Sequence, residues 1–86
     1  MAPRRDSGPF RRALGEAIRA RRLELDLSQE ELAYQADLDR TYLSGLEGGA
    51  RNPTLETLLR VAKALGLKAS EMMGEAETGT PRRRIR

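Results

Sequence analysis

Arg40, Thr41, Ser44 and Gly45 are spaced so that, at about 100° per residue, they share one side of a helix. Tyr42, Leu43 and Leu46 fall on the other side. The first group is a set of side chains suited to the edges of base pairs. An arginine fork matches the O6 and N7 of guanine, a threonine methyl can touch the thymine methyl, and serine can bond either kind of edge. Gly45 costs about 1 kcal/mol of helix propensity relative to alanine, a cost explained by close approach of the backbone to something outside the helix. A solvated helix face with one ordinary surface arginine is the bland alternative, so the surrounding elements must decide.

Other chemistry is poorly supplied. The 86 residues include no cysteine and no histidine. That excludes a disulfide framework, a thiolate nucleophile, an imidazole base and the usual zinc ligand sets. The hydroxyls of Ser28 and Ser44 have no histidine to activate them, and the carboxylates are accounted for by helix caps and surface pairs, so the sequence reads as a non-enzyme with no cofactor and no metal. Phe10, Tyr34 and Tyr42 are the three aromatic residues, too few for the stacking platform that single-stranded RNA recognition uses.

The candidate reading helix needs neighbours to position it. Phe10, Leu14, Ile18 and Leu25, with Ala17 beside them, recur at helical spacing and predict a first helix, with Pro9 in its first turn and Ser7 or Gly8 as cap. Ser28 followed by Glu31 is a capping box, in which the serine accepts from the Glu31 N–H and the glutamate reaches back. The second helix it opens should bury Leu32, Ala33 and Ala36 and end at Asp37. Asp39 is a natural N-cap for the third helix, Arg40 to Glu47, and Gly48 or Gly49 can supply the left-handed residue that closes it. Pro53 and Thr54 start a fourth helix with Leu55, Leu58, Leu59, Ala62 and Leu65 in register, closed by Gly66, while Leu67, Met72 and Met73 imply a short fifth. No segment alternates with period two. The expected fold is therefore all-α, a compact five-helix domain with flexible basic termini.

Two short helices joined by a tight turn at Asp37 and Leu38 make a helix-turn-helix, whose second helix enters the major groove of DNA. The run SQEELAYQADLDRTYLSGLEGGARNPTLETLLRVAKALG resembles the phage-repressor, Cro and Xre-like family, and the resemblance covers roughly residues 10 to 73. Its SQEELA entry, LEGG exit and NPTLETLL start are specific, and its RTY and RNP elements look closest to controller proteins of restriction-modification systems. The resemblance implies base reading by Arg40, Thr41 and Ser44, and contact of Tyr42 with the sugar-phosphate backbone or a nearby base. It places Gln29 at a phosphate. Arg51 and Asn52, just before the fourth helix, take a phosphate role by the physical logic of helix N-termini. It further implies a structural ion pair between Arg22 and Glu47, and a homodimer contact through Leu67, Met72 and Met73, with two half-sites about 34 Å apart. Asp26 and Asp37 depart from the family by standing where glycine is common in the interhelical turns, and Gly45 removes a side chain that other members use against DNA.

The formal charge is +3, but ten Lys/Arg and ten Asp/Glu balance between Phe10 and Gly74. The surplus lies at the ends, so residues 1–8 read as a flexible basic arm, 9–74 as the DNA-binding domain and 75–86 as a flexible basic tail ending PRRRIR. That tail could grip phosphates or lie along the minor groove. The opening residues lack the apolar core of a secretion signal, and no run is long enough to span a membrane, which reads as a soluble, cytoplasmic protein. The expected function is a sequence-specific transcriptional regulator on double-stranded DNA, with no membrane and no small-molecule ligand. The competing expectation is an antitoxin or adaptor that uses the same fold to hold another protein.

Overall fold

The computed structural model describes residues 8–79, and the elements among them are five helices. These are α1 (Gly8–Glu24), α2 (Gln29–Gln35), α3 (Arg40–Glu47), α4 (Leu55–Ala64) and α5 (Ala69–Thr78). The expected cap at Ser7, residues 1–7 of the expected arm and the tail from residue 80 lie outside the described residues, while Gly8, the last residue of that arm, is the buried first residue of α1.

α1 is the longest element at 17 residues, and it packs against α5 and α3. Its Leu14, Ala17 and Ile18 are buried as the spacing predicts. Leu25 is not part of that face, because α1 ends at Glu24 and the chain turns over Asp26, leaving Leu25 exposed. The core they enter is made by Leu32, Leu43, Leu46, Val61, Leu65 and Met72 from the other helices.

The fourth helix corrects the expected stripe. Leu58, Val61, Ala62 and Leu65 are its buried line. Leu55 and Leu59 stand about 70° to 110° round the helix from the centre of that line, and they remain 71% and 52% exposed. The fifth helix is longer than expected. It takes in residues 75–78, which composition assigned to the tail, and Glu75 and Ala76 are buried. Packing supplied by α1, which no local pattern records, extends the helix.

Four helices end in the same way. After α1, α2, α3 and α4 a residue with positive φ turns the chain, and the next N–H reaches back five residues: Leu27 to Arg22, Leu38 to Ala33, Ala50 to Gly45 and Leu67 to Ala62. Each closing bond satisfies a carbonyl that the helix end leaves open. Gly49 and Gly66 turn two of these ends, and Asp26 (φ 59) and Asp37 (φ 57) turn the others. Aspartate thus performs the left-handed step at the two positions where the sequence departs from glycine.

Arginines then bind helix ends across the molecule. Arg21 Nε donates to the Leu65 carbonyl at 3.0 Å, Arg60 Nε to the Ala36 carbonyl at 3.1 Å, and Arg11 Nε to the Gly49 carbonyl at 3.3 Å. Each places a cation at the negative end of another helix.

Candidate nucleic-acid interface

The reading unit is assembled locally first. Ser28 caps α2, accepting from the Glu31 N–H at 3.0 Å, and the Glu31 carboxylate accepts from the Ser28 N–H at 2.8 Å. The Ser28 backbone N–H, and after it the Ser28 hydroxyl, stabilise the carboxylate and hold the Glu31 carboxyl below its ordinary value of 4.5. Asp39 accepts from the N–H groups of Thr41 and Tyr42 and so starts α3 at the expected residue. The turn at Asp37 and Leu38 sets the second helix of the motif against the first.

The inward side of α3 is fixed tightly. Leu43 and Leu46 are fully in the core. Gly15 of α1 meets the main chain of α3 so closely that a Cβ there would fall 2.2 Å from the Glu47 carbonyl oxygen. No substitution fits that seam without moving a helix. Beside it the Arg22 guanidinium donates to both carboxylate oxygens of Glu47, at 2.7 and 3.0 Å. The side chains are 9% and 4% exposed, so this is a buried, two-pronged ion pair. The Glu47 carboxylate, accepting those bonds, raises the affinity of Arg22 for its proton above the usual arginine value. A third bond, donated by Arg22 to the Leu27 carbonyl at 2.9 Å, joins the pair to the α1–α2 turn.

The outward side is open. Arg40, Thr41 and Ser44 are all exposed on α3, with Gly45 among them. Gln29 links the two sides: its amide nitrogen donates to Glu47 Oε1 at 3.0 Å, and its amide oxygen accepts from Arg40 at 3.5 Å. Arg22, Ser28, Gln29, Glu30 and Arg40 together line a shallow, open depression beside the start of α2. The sequence placed Gln29 at a phosphate but gave no signal of its tie to the ion pair, because Gln29 and Glu47 meet only through the tertiary fold.

Tyr42 and Arg51 are brought together as well. The Arg51 guanidinium carbon lies 5.3 Å from the centre of the Tyr42 ring, while the neighbouring Asn52 is exposed in the loop before α4. The residues expected at a dimer contact divide. Leu67 and Met73 are half-buried against the core, but Met72 is 0% exposed. Met72 is therefore a core residue of the single chain and is removed from the expected contact surface. No helix of the described residues is long and apolar enough to cross a membrane.

Relatives of known type share this arrangement. The helix-turn-helix family model matches residues 18–72. The control protein C.BamHI of Bacillus amyloliquefaciens is 39% identical over 65 residues, covering 74% of this chain and 80% of that one. Among solved structures, the restriction-modification controller C.AhdI of Aeromonas hydrophila is 39% identical with a TM-score of 0.70, over 71% of this chain and 92% of that one. The controller C.Esp1396I, solved as a tetramer in complex with its natural 35 base-pair operator, is 33% identical with a TM-score of 0.73, over 81% of this chain and 92% of that one. With the motif, the buried ion pair and the exposed outer side of α3 all in place, the chain belongs to the Xre-like helix-turn-helix family of DNA-binding transcriptional regulators.

Proposed function

We propose that this regulator binds a palindromic operator in double-stranded DNA as a homodimer, with α3 of each copy in the major groove. The observation that carries the proposal is the placement of Arg40, Thr41 and Ser44, all exposed on a helix whose opposite side is locked to the core. Arg40 pairs with a guanine edge, and Thr41 and Ser44 read the neighbouring bases. Gln29 and Asn52 hold the sugar-phosphate backbone on either side, which supplies affinity and register while the base contacts supply discrimination.

One reading helix spans too few base pairs to specify a site, so two copies are needed, with half-sites about 34 Å apart. Leu67 and Met73, with the exposed Leu55 and Leu59 of α4, are apolar side chains open to a second copy. The operator-bound relative supports duplex DNA as the partner.

Selection of bound sites from a random duplex library at physiological salt tests the proposal. An enriched palindrome, with one half-site per copy, is the expected result. Binding without enrichment, lost as salt rises, overturns it and points instead to a protein partner.

A further inference from the structure

The left-handed step at Asp37 turns the chain at the end of α2, and α4 passes beside that end. Arg60 bridges the two helices, its Nε donating to the Ala36 carbonyl at 3.1 Å. Beside this bond each helix contributes an alanine, Ala36 from α2 and Ala64 from α4. So little side-chain volume leaves an open depression of about 420 Å³, walled by Gln35 and Asp37 on the α2 side and by Arg60 and Lys63 on the α4 side. Small-molecule sites commonly have volumes of about 300 to 1,000 Å³.

The walls carry unused bonding capacity of both signs. Arg60 uses Nε on Ala36, and its Nη1 makes only a 3.9 Å pair with the 84% exposed Glu56. The side chains of Gln35, Asp37 and Lys63 have no hydrogen bond or ion pair to another described residue, so Asp37 and Lys63 do not close on each other across the gap. Arg60 and Lys63, one turn apart on α4, present a fork and a point charge that suit a carboxylate. On the facing wall, the Asp37 carboxylate and the Gln35 amide oxygen can accept from an ammonium group. A simple anion would leave Asp37 unmatched, and a simple cation would face Arg60 and Lys63. A ligand carrying both charges satisfies both walls, and the two alanine methyls offer a floor for a short aliphatic body.

We propose that this depression binds a small zwitterion of the aliphatic α-amino acid class, its carboxylate on Arg60 and Lys63 and its ammonium on Asp37 and Gln35. The depression shares no residue with the outer side of α3, so the inference stands whether or not α3 reads DNA. It departs from the expectation of a regulator with no small-molecule ligand. A bound ligand ties the α2–α3 turn to α4, so its binding free energy stabilises the helix-turn-helix against opening.

Thermal melts of the intact chain with each aliphatic α-amino acid test it, at about 10 mM, since a ligand that binds only the folded chain raises the melting temperature once it exceeds its Kd. Acetate and methylamine, which supply one head group each, are run beside them. The same melts are made on Lys63→Gln and Asp37→Asn. Both positions are exposed, and asparagine tolerates the left-handed backbone at 37, so both variants fold. At least one amino acid should raise the melting temperature saturably, while acetate and methylamine should not. Each variant should weaken binding of that amino acid by about 10- to 100-fold. No shift with any amino acid, an equal shift with acetate or methylamine, or a shift that survives in either variant overturns the inference.

Discussion

On its inward side α3 touches main chain at Gly15, buries Leu43 and Leu46, and ends in a carboxylate gripped twice by Arg22. On its outward side it carries exposed Arg40, whose single described bond is a long one to Gln29, and a glycine over which Arg51 lies. The two sides use the same residue types, arginine and glycine, to opposite ends. Inward, arginine is charge-matched and glycine has no spare room. Outward, arginine keeps donors open and glycine has room already lent to a neighbour. Substitution should therefore cost folding on one side and recognition on the other.

The largest effect should come from the ion pair. Glu47→Ala leaves the buried Arg22 cation without its carboxylate and should lower unfolding free energy by about 3 to 5 kcal/mol, measured by denaturant titration; a loss under about 1 kcal/mol would refute the buried-pair account. Next is the seam. Gly15→Ala forces a methyl against the Glu47 carbonyl and should destabilise by about 1 to 3 kcal/mol or more. Gly45→Ala is its sharpest control: it gains about 1 kcal/mol of helix propensity and displaces only a flexible side chain, so its melting temperature should rise. If both alanines shift stability the same way, the comparison of the two sides fails.

Arg40→Ala should move nothing in a melt by more than about 0.5 kcal/mol, yet weaken binding to the selected site by about 1 to 3 kcal/mol and relax one position of it. Equal losses on selected and random duplex would remove Arg40 from base reading. The smallest effect concerns pH. Folding lowers the Glu31 carboxyl from 4.5, so the capping box contributes stability above that value and loses it as pH falls through the lowered one. Glu31→Gln should flatten that part of the acid dependence; an unchanged melting temperature profile below pH 4.5 would detach the box from acid sensitivity.

Local signals proved the most readable. The capping box at Ser28, the Asp39 cap and the bounds of α3 follow from residues a few positions apart, and the structure places them as the pattern predicts. The partnership of Arg22 with Glu47 became visible through family resemblance rather than spacing, since 25 positions separate them. Three things were not readable. Five apolar residues on α4 fit a helical stripe with either Leu55 or Val61 at its edge, and only the docking of α4 selects Val61 for burial. The end of α5 depends on burial of Glu75 and Ala76 by other helices. The seat of Arg51 had a signal, a glycine inside a short helix, but the sequence offered open approach to DNA as its simplest explanation.

The arginines at helix ends also govern how the domain comes apart. α2 has 7 residues, too short to persist by itself in water, and its final turn is held by Arg60 from α4. The end of α4 is held in turn by Arg21 from α1, and the loop leaving α3 by Arg11 from the same helix. Fraying of any one of these ends must release a donor on a helix distant in the chain, so partial opening gains little entropy and forfeits contacts elsewhere. The domain should therefore unfold as one cooperative unit, with amide exchange in α2 and α3 reporting the global transition rather than local breathing.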